Sequence, residues 1–203
     1  VLEALIAEHK PKLVYLIPTF GNPSGATLSL GRRKKVLELA VKYNTLVVED
    51  DPYGDLYFGK APPPSLLALS KTVPGSRELL AHCGSLSKVL SPGLRVGWMI
   101  APPELLAKAT MCKQFSDAHT STFAQATAAQ YLQAGRMPAT LAKVRAVYAE
   151  RAHTMCDALH RELGNAIEFV APKGGLFVWA RLTGADGQLA NGNELAKRAI
   201  DKG

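Results

Sequence analysis

The chain has 203 residues, 47% of them hydrophobic, which suits one large or two small folded domains and argues against a disordered chain. Its 24 basic and 17 acidic residues give a net charge of +7, which favours anionic partners such as nucleic acid, acidic metabolites or cofactor phosphates. No apolar run reaches a membrane-spanning length, and three cysteines without CxxC spacing fit a reducing compartment, so we expect a cytoplasmic protein.

The N-terminal part predicts strands separated by a helix. Residues 13–17 form a short apolar run ended by Pro18, which indicates a buried strand. Residues 29–43 have helical spacing with Ser29 as a candidate N-cap, and the basic run at 32–35 is interpreted as a solvated face of that helix. Residues 45–48 predict a second buried strand, which ends in the acidic sequence EDD.

The next part of the chain continues this alternation. Residues 60–76 are a proline-rich connection with little periodicity. Residues 78–83 and 94–101 predict a third and a fourth strand. Strands that alternate with a helix predict an α/β fold with a mainly parallel sheet.

The C-terminal half has a different character. Pro103 suits the first turn of a helix that runs to about residue 116. Two further helical patterns, two strand-like runs and a final helix follow, at residues 122–134, 139–163, 167–171, 176–182 and from about 193. The sequence therefore predicts a boundary near residue 140 and a smaller α+β unit beyond it.

Three polar turns accompany the predicted strands: PTFGNPSG at 18–25, EDDPYGD at 49–55 and GSLSK at 84–88. Ligands of parallel α/β sheets bind outside the carboxyl ends of the strands. The three turns therefore predict one shared site.

Lys88 is the first candidate for chemistry. A lysine near a strand end amid small and apolar residues can lose its hydration, which lowers its pKa and frees the amine to attack carbonyl groups. Ser85, Ser87 and Arg95 supply hydroxyls and a guanidinium that could hold a phosphate, with Pro92-Gly93 turning Arg95 back towards the serines. By themselves these residues also fit an ordinary exposed turn.

The acidic turn after the second strand offers a carboxylate to a cofactor. Because side chains alternate along a strand, at most one of Asp50 and Asp51 faces the site. Asp50, Asp51 and Asp55 could also suggest a divalent metal, a weaker alternative because no histidine joins them. In the first turn, Asn22 supplies a hydrogen-bond donor and an acceptor, and Pro23 permits a cis peptide bond.

The motifs N-P-x-G, D-x-x-Y and S-x-S-K-x-x-x-P-G-L-R-x-G, in this order, resemble fold-type I pyridoxal-phosphate enzymes, the class I/II aminotransferases. The resemblance covers essentially the whole chain. The sequences DAHTSTFAQATAAQYL and PKGGLFVW look like the branch with 2-aminoadipate, aromatic and kynurenine-type aminotransferases. The resemblance implies three segments: the latter part of a cofactor-binding large domain at 1–105, interdomain helices at 106–140 and part of a small α+β domain at 141–203.

The resemblance also implies roles for individual residues. Lys88 would form the internal aldimine with pyridoxal 5'-phosphate and shuttle a proton between substrate and cofactor carbons. Asp50 would pair with the protonated pyridine nitrogen, and Asn22 and Tyr53 would hydrogen-bond the phenolic oxygen. Asn22 would also orient the substrate carboxylate.

The cofactor phosphate would be held by Ser85, Arg95 and, less directly, Ser87. Amino acids and 2-oxo acids are the implied substrates, reacting by ping-pong transamination. A homodimer is the implied assembly; we expect no metal, nucleic-acid or membrane partner.

The chain departs from the family pattern at both ends. It lacks the upstream phosphate-binding turn with a ring-stacking aromatic residue and the downstream carboxylate-binding arginine. We therefore expect a fragment that binds the cofactor poorly by itself. Two alternatives stay open: a ligand-sensing domain of a transcription regulator, or another pyridoxal-phosphate reaction such as β-elimination or decarboxylation.

Three other side chains are interpreted as structural. His119 is assigned a packing or helix-end role rather than substrate contact. Phe177 and Trp179 alternate on a predicted strand and are assigned to the core.

Overall fold

A computed structural model describes residues 1–184 and 187–202, and its centre is a four-stranded sheet. The strands are β1 (Leu13–Leu16), β2 (Leu46–Asp50), β3 (Leu80–Ser85) and β4 (Gly97–Ile100), in the order β1-β2-β3-β4. The first three strands run parallel and β4 is antiparallel to β3. The predicted α/β fold with a mainly parallel sheet is therefore confirmed.

Helices cover one face of this sheet. Helix α1 (Leu2–His9) precedes β1, α2 (Leu30–Tyr43) joins β1 to β2, and the short α3 (Leu66–Leu69) lies between β2 and β3. Their apolar faces form a cluster with the facing strand residues: Val36, Leu37, Ala40, Val47, Leu66, Leu69 and Leu80. This core packs against one face of the sheet, while the ends of the strands are covered by the connecting turns.

The C-terminal half is mostly helical. It contains α4 (Pro103–Asp117), α5 (Thr122–Gln133), α6 (Met137–Leu163), β5 (Ile167–Phe169), β6 (Ala180–Leu182) and α7 (Gly192–Asp201). Strands β5 and β6 pair in antiparallel fashion. Short 3-10 turns occur at Ser70–Thr72, Ser76–Leu79, Pro92–Leu94 and Gly164–Ala166. Among the described residues, no helix has the length and hydropathy needed to cross a bilayer.

A second core cluster lies at the carboxyl end of the parallel strands. Its buried members are Phe20, Tyr53, Leu56, Leu86, Val89 and Ala128. They come from the turns after β1, β2 and β3 and from α5. The three polar turns are thus packed on one shared apolar base.

Several sequence-based expectations need correction. Arg33 is fully buried rather than part of a solvated face, because backbone carbonyls surround its guanidinium. The strand expected at 94–101 begins only at Gly97, since Arg95 has a left-handed φ of 54° that ends the extended run. The strand expected at 176–182 is limited to β6, and Trp179 before it is 56% exposed rather than in the core.

The residues just before β6 run beside the second polar turn instead. The amide of Phe58 donates to the Lys173 carbonyl (2.8 Å), and that of Gly175 donates to the Leu56 carbonyl (2.8 Å). A Cβ on Gly174 would lie 2.6 Å from the Leu56 carbonyl oxygen, so only glycine fits this close approach. The expected domain boundary near residue 140 falls within α6, and the division into three segments stays a prediction.

Candidate active site

The site lies where the turns after β1, β2 and β3 meet. Parallel strands bring their carboxyl ends to the same edge of a sheet, and the register places Leu16 beside Glu49 and Asp50 beside Cys83. Each turn inserts at least one buried apolar side chain into the same cluster, for example Phe20 and Leu86. The polar residues of the three turns are therefore carried by one packed unit.

The first turn places Asn22 near Tyr53 of the second turn. The Asn22–Pro23 peptide bond is cis. Hydrogen bonds from the Gly21 amide to the Ala26 carbonyl (3.0 Å) and from the Phe20 amide to Thr27 Oγ1 (3.1 Å) close the loop.

The Asn22 side chain lies close enough to the Tyr53 phenol to influence its ionisation. Burial raises the pKa of Tyr53, and the nearby Asn22 side chain opposes that rise. The two predicted site residues are therefore neighbours across the first and second turns.

Arg33 holds the first turn from below. Its Nη2 donates to the Pro18 carbonyl (2.9 Å) and to Thr19 Oγ1 (2.8 Å), and its Nε donates to the Leu28 carbonyl (2.9 Å). Nη1 reaches the Pro64 carbonyl at 3.2 Å. Burial lowers the pKa of Arg33, but the pKa of a guanidinium is high enough for the side chain to stay charged.

Asp50 is the last residue of β2 and accepts a hydrogen bond from a tyrosine of β1. Tyr15 Oη lies 2.5 Å from Asp50 Oδ2. The pKa of Tyr15 is raised to about 12, chiefly by this hydrogen bond and then by burial. Tyr15 is a site residue that the sequence interpretation missed.

The neighbouring carboxylates of the EDD sequence serve other purposes. Glu49 is fully buried and accepts from the amides of Leu66 (2.6 Å) and Leu67 (3.0 Å) at the start of α3. His82 Nδ1 lies 2.8 Å from Glu49 Oε2, and this hydrogen bond raises the pKa of His82. Asp51 Oδ1 caps the turn by accepting from the Gly54 amide (2.9 Å).

The acidic turn does not assemble as a metal site in the structure. Asp50 and Asp51 hydrogen-bond different partners, and the exposed Asp55 pairs with Arg145 at 3.7 Å. Across residues 1–184 and 187–202, no three His, Cys, Asp or Glu side chains form a group that could hold a metal ion.

Lys88 follows β3 in the third turn. Leu86 and Val89 on either side of it are 4% and 6% exposed and anchor the turn in the second core cluster. Lys88 itself is exposed, so the expectation that neighbouring apolar residues bury its amine is wrong for the described chain. The reason is that the apolar neighbours in sequence point into the core while Lys88 points away from it.

The groove beside Lys88 has a volume of about 420 Å³ and is also lined by Lys143 and Arg151 of α6. The third turn therefore presents its amine in a groove with a cationic wall.

The residues expected to hold a phosphate lie around the same turn. Ser85 Oγ accepts from the Ser87 amide (3.0 Å), which sets the direction of the chain before Lys88. The Leu86 amide donates to the Val96 carbonyl (3.0 Å), which brings the segment after Arg95 beside the serines. Arg95 Nη1 donates to the Pro92 carbonyl (3.3 Å), so its guanidinium lies against its own turn instead of being turned back to the serines.

Residues from the C-terminal half also touch the site. The Phe177 ring meets the Tyr53 ring edge-on, with centroids 5.8 Å apart. Arg145 stacks over the Tyr57 ring at 3.8 Å and donates to the Asp55 carbonyl (2.6 Å). No local sequence pattern indicates these contacts, because they join segments about a hundred residues apart.

His119 lies just beyond α4. Its Nδ1 is 2.9 Å from the Thr120 carbonyl oxygen, and its side chain is exposed. The structure thus places it at a helix end, away from the contacts described above.

Comparison with known proteins identifies relatives over the full chain. The family model for aminotransferase class I and II matches residues 1–203. The 2-aminoadipate transaminase of Thermus thermophilus is 41% identical over 203 residues, covering 99% of this chain and 49% of that protein. The crystal structure of Pyrococcus horikoshii kynurenine aminotransferase, in complex with PMP, superposes with a TM-score of 0.89 at 35% identity, covering 100% of this chain and 49% of that one.

A regulator is also among the relatives. An uncharacterized HTH-type transcriptional regulator of Bacillus subtilis is 34% identical over 172 residues, covering 85% of this chain and 34% of that protein. The chain spans about half the length of the curated aminotransferases that it matches. With a family model that matches from the first residue to the last, the chain belongs to the class I and II aminotransferase family.

Proposed function

We propose that this chain is part of an enzyme that moves an amino group from an amino acid to a 2-oxo acid with pyridoxal 5'-phosphate. The observation that carries the proposal is that Asn22, Asp50, Tyr53 and Lys88 lie at or just after the carboxyl ends of three neighbouring parallel strands, whose turns share one packed base. The family supports transamination as the reaction.

The residues present fit this cofactor in their chemistry. Asp50 offers a carboxylate to a protonated ring nitrogen, and the Asn22–Tyr53 pair offers donors to a phenolate oxygen. Ser85 and Ser87 lie in the turn that would receive a phosphate dianion, and the Arg95 guanidinium, which lies against Pro92, would turn towards them when the dianion binds. When bound, pyridoxal phosphate supplies a carbonyl that condenses with amines and a ring that withdraws electrons.

Each residue of this chain has a proposed role towards the cofactor. Lys88 would be the amine that holds the cofactor and would afterwards move a proton at the substrate carbon. Its exposure in the groove leaves it accessible to both. Asp50 would pair with a protonated ring nitrogen, and Asn22 with Tyr53 would orient the ring through its oxygen.

The substrate class is proposed from the relatives' names. A 2-aminoadipate transaminase and an aromatic-amino-acid aminotransferase are among them, so we propose 2-aminoadipate and aromatic amino acids as donors, with kynurenine a third. We further propose that the complete enzyme is a cytoplasmic homodimer. The free thiols Cys83, Cys112 and Cys156 are compatible with a reducing compartment.

The test is a donor screen with the full-length protein and 2-oxoglutarate as acceptor. The wild type should give ping-pong kinetics with at least one of the proposed donors, and Lys88→Ala should lose transamination. Lys71→Ala is the matched control, because Lys71 is an exposed lysine on the 3-10 turn after α3. Normal transamination by Lys88→Ala would overturn the assigned mechanism.

The regulator in Bacillus subtilis supports a second candidate, a cofactor-sensing domain of a transcription factor. A full-length protein that binds the cofactor through Lys88 and binds promoter DNA, but turns over none of the donors, would favour it. Release of pyruvate with ammonia, or of carbon dioxide, from the donors would instead favour elimination or decarboxylation on the same fold.

A further inference from the structure

We propose that Tyr15 is a positioning residue for the cofactor, acting through Asp50. The inference rests on the proposed function, in which Asp50 faces the pyridine nitrogen. Tyr15 fixes one oxygen of the Asp50 carboxylate so that the other oxygen is directed to the ring nitrogen.

The geometry of the sheet produces this pair. Tyr15 of β1 lies opposite Val48 of β2, and Asp50 is two residues further along the same face. A tyrosine is long enough to cover that offset, and its Oη donates to Asp50 Oδ2 at 2.5 Å. Among the described residues, no hydrogen bond is present at Oδ1, so this oxygen is available to a ligand.

The contact is specific to Asp50 among the neighbouring acids. Glu49 is on the opposite face, bound to His82 and to the amides at the start of α3. Asp51 is occupied by the Gly54 amide. Tyr15 therefore donates to Asp50, the carboxylate of the EDD sequence that has an oxygen free to bind a ligand.

Simple packing does not account for Tyr15. The residue is 55% exposed in the described chain, so burial does not force its hydroxyl towards a partner. Its raised pKa of about 12 keeps it a donor over the whole physiological range. The Cys83 thiol, beside Asp50 in the register, is only a weak donor and cannot replace the phenol.

The hydrogen bond has a chemical consequence. A donor to a carboxylate stabilises its ionised form and lowers its affinity for a proton. With Tyr15 in place, the carboxylate of Asp50 is held in one orientation towards the ring nitrogen, which favours the protonated ring. Without it, the carboxylate is less well oriented and the ring keeps less positive charge.

The test compares two probes on the full-length apoenzyme: pyridoxal phosphate and 1-deazapyridoxal phosphate, which has a C–H in place of the ring nitrogen. A hydrogen bond to a charged group corresponds to about 10-fold in affinity or somewhat more. We expect Tyr15→Phe to weaken the binding of pyridoxal phosphate about 10-fold and to change the affinity for the deaza probe by no more than about 2-fold. Tyr43→Phe is the control, because Tyr43 ends α2 just before the amino end of β2, at the opposite edge of the sheet.

Asp50→Asn separates two claims, namely that Asp50 faces the ring nitrogen and that Tyr15 acts through Asp50. If Tyr15 acts through Asp50, the double variant should bind pyridoxal phosphate no more weakly than Asp50→Asn alone. A second readout is the pH titration of the visible band of the bound cofactor, whose midpoint should rise in Tyr15→Phe because the ring withdraws fewer electrons.

Each outcome decides one of the claims. Equal weakening of both probes by Tyr15→Phe would mean a merely structural role, and no change with either probe would mean no role; both overturn the inference. If Asp50→Asn itself does not discriminate between the probes, Asp50 does not face the ring nitrogen, and that part of the proposed function fails as well. Discrimination by Asp50→Asn with none by Tyr15→Phe leaves the proposed function standing and overturns the inference alone.

Discussion

Replacing Arg33 with methionine tests whether a buried cation organises the first turn of the site. The guanidinium makes hydrogen bonds of 2.8 to 3.2 Å to three backbone carbonyls and to Thr19 Oγ1. Methionine fills much of the volume and removes every one of these donors. The Pro18 carbonyl keeps one donor, the amide of Leu28.

The magnitude follows from the acceptors that lose their donor. Each buried acceptor left unsatisfied costs about 1–3 kcal/mol, and here some of them are only partly buried. Loss of the desolvated charge offsets part of this cost, as the lowered pKa of Arg33 indicates. We expect Arg33→Met to lower the free energy of unfolding by about 2–4 kcal/mol.

The assay is equilibrium urea unfolding, together with amide hydrogen exchange of residues 19–28. Arg32→Met is the matched control, because Arg32 is the exposed neighbour on the same helix and should change stability by less than about 0.5 kcal/mol. Faster exchange in the turn that carries Asn22 should accompany the loss of stability in Arg33→Met. Equal unfolding curves and equal exchange for the two variants would mean that the Arg33 guanidinium does not organise the first turn.

Two further predictions concern β3 and its neighbours. Gly84→Ala should lower the free energy of unfolding by about 1–3 kcal/mol, because the new Cβ would lie 2.3 Å from the Trp98 indole, and a second change, Trp98→Ala, should relieve the clash; additive losses in a double-mutant cycle of urea unfolding would contradict this. The Glu49 bond raises the pKa of His82, so its stabilisation is complete below about pH 6.5 and is lost as the pH rises through the folded-state value. Between pH 6 and 9, the free energy of unfolding should therefore fall more steeply for the wild type than for His82→Gln. Parallel pH profiles for the two proteins would argue against a stabilising Glu49–His82 bond.

The strand ends and the three turns could be predicted from the sequence because they depend on local patterns. Apolar runs that end in proline, glycine or acidic residues mark the carboxyl ends of strands, and parallel pairing then brings those ends together. The proximity of Asn22 and Tyr53 follows from that arrangement. It needs no knowledge of side-chain packing beyond the turns themselves.

Other features depend on register and on distant packing. Tyr15 and Asp50 lie on one face of the sheet only because Tyr15 is opposite Val48, and a sequence does not state that register. Arg33 has the same helical pattern as its exposed neighbours, and its burial depends on carbonyls from three separate segments. The exposure of Lys88 likewise depends on the direction in which Leu86 and Val89 pack.

The proposed function depends above all on Lys88 as the amine that would hold the cofactor. Its most direct test is borohydride reduction of the full-length holoprotein, followed by protease digestion and mass spectrometry of the lysine-containing peptides. We expect a phosphopyridoxyl group on Lys88, with exposed lysines such as Lys71 unmodified. A stable cofactor adduct on another lysine, or no adduct on a protein that carries out transamination, would contradict it.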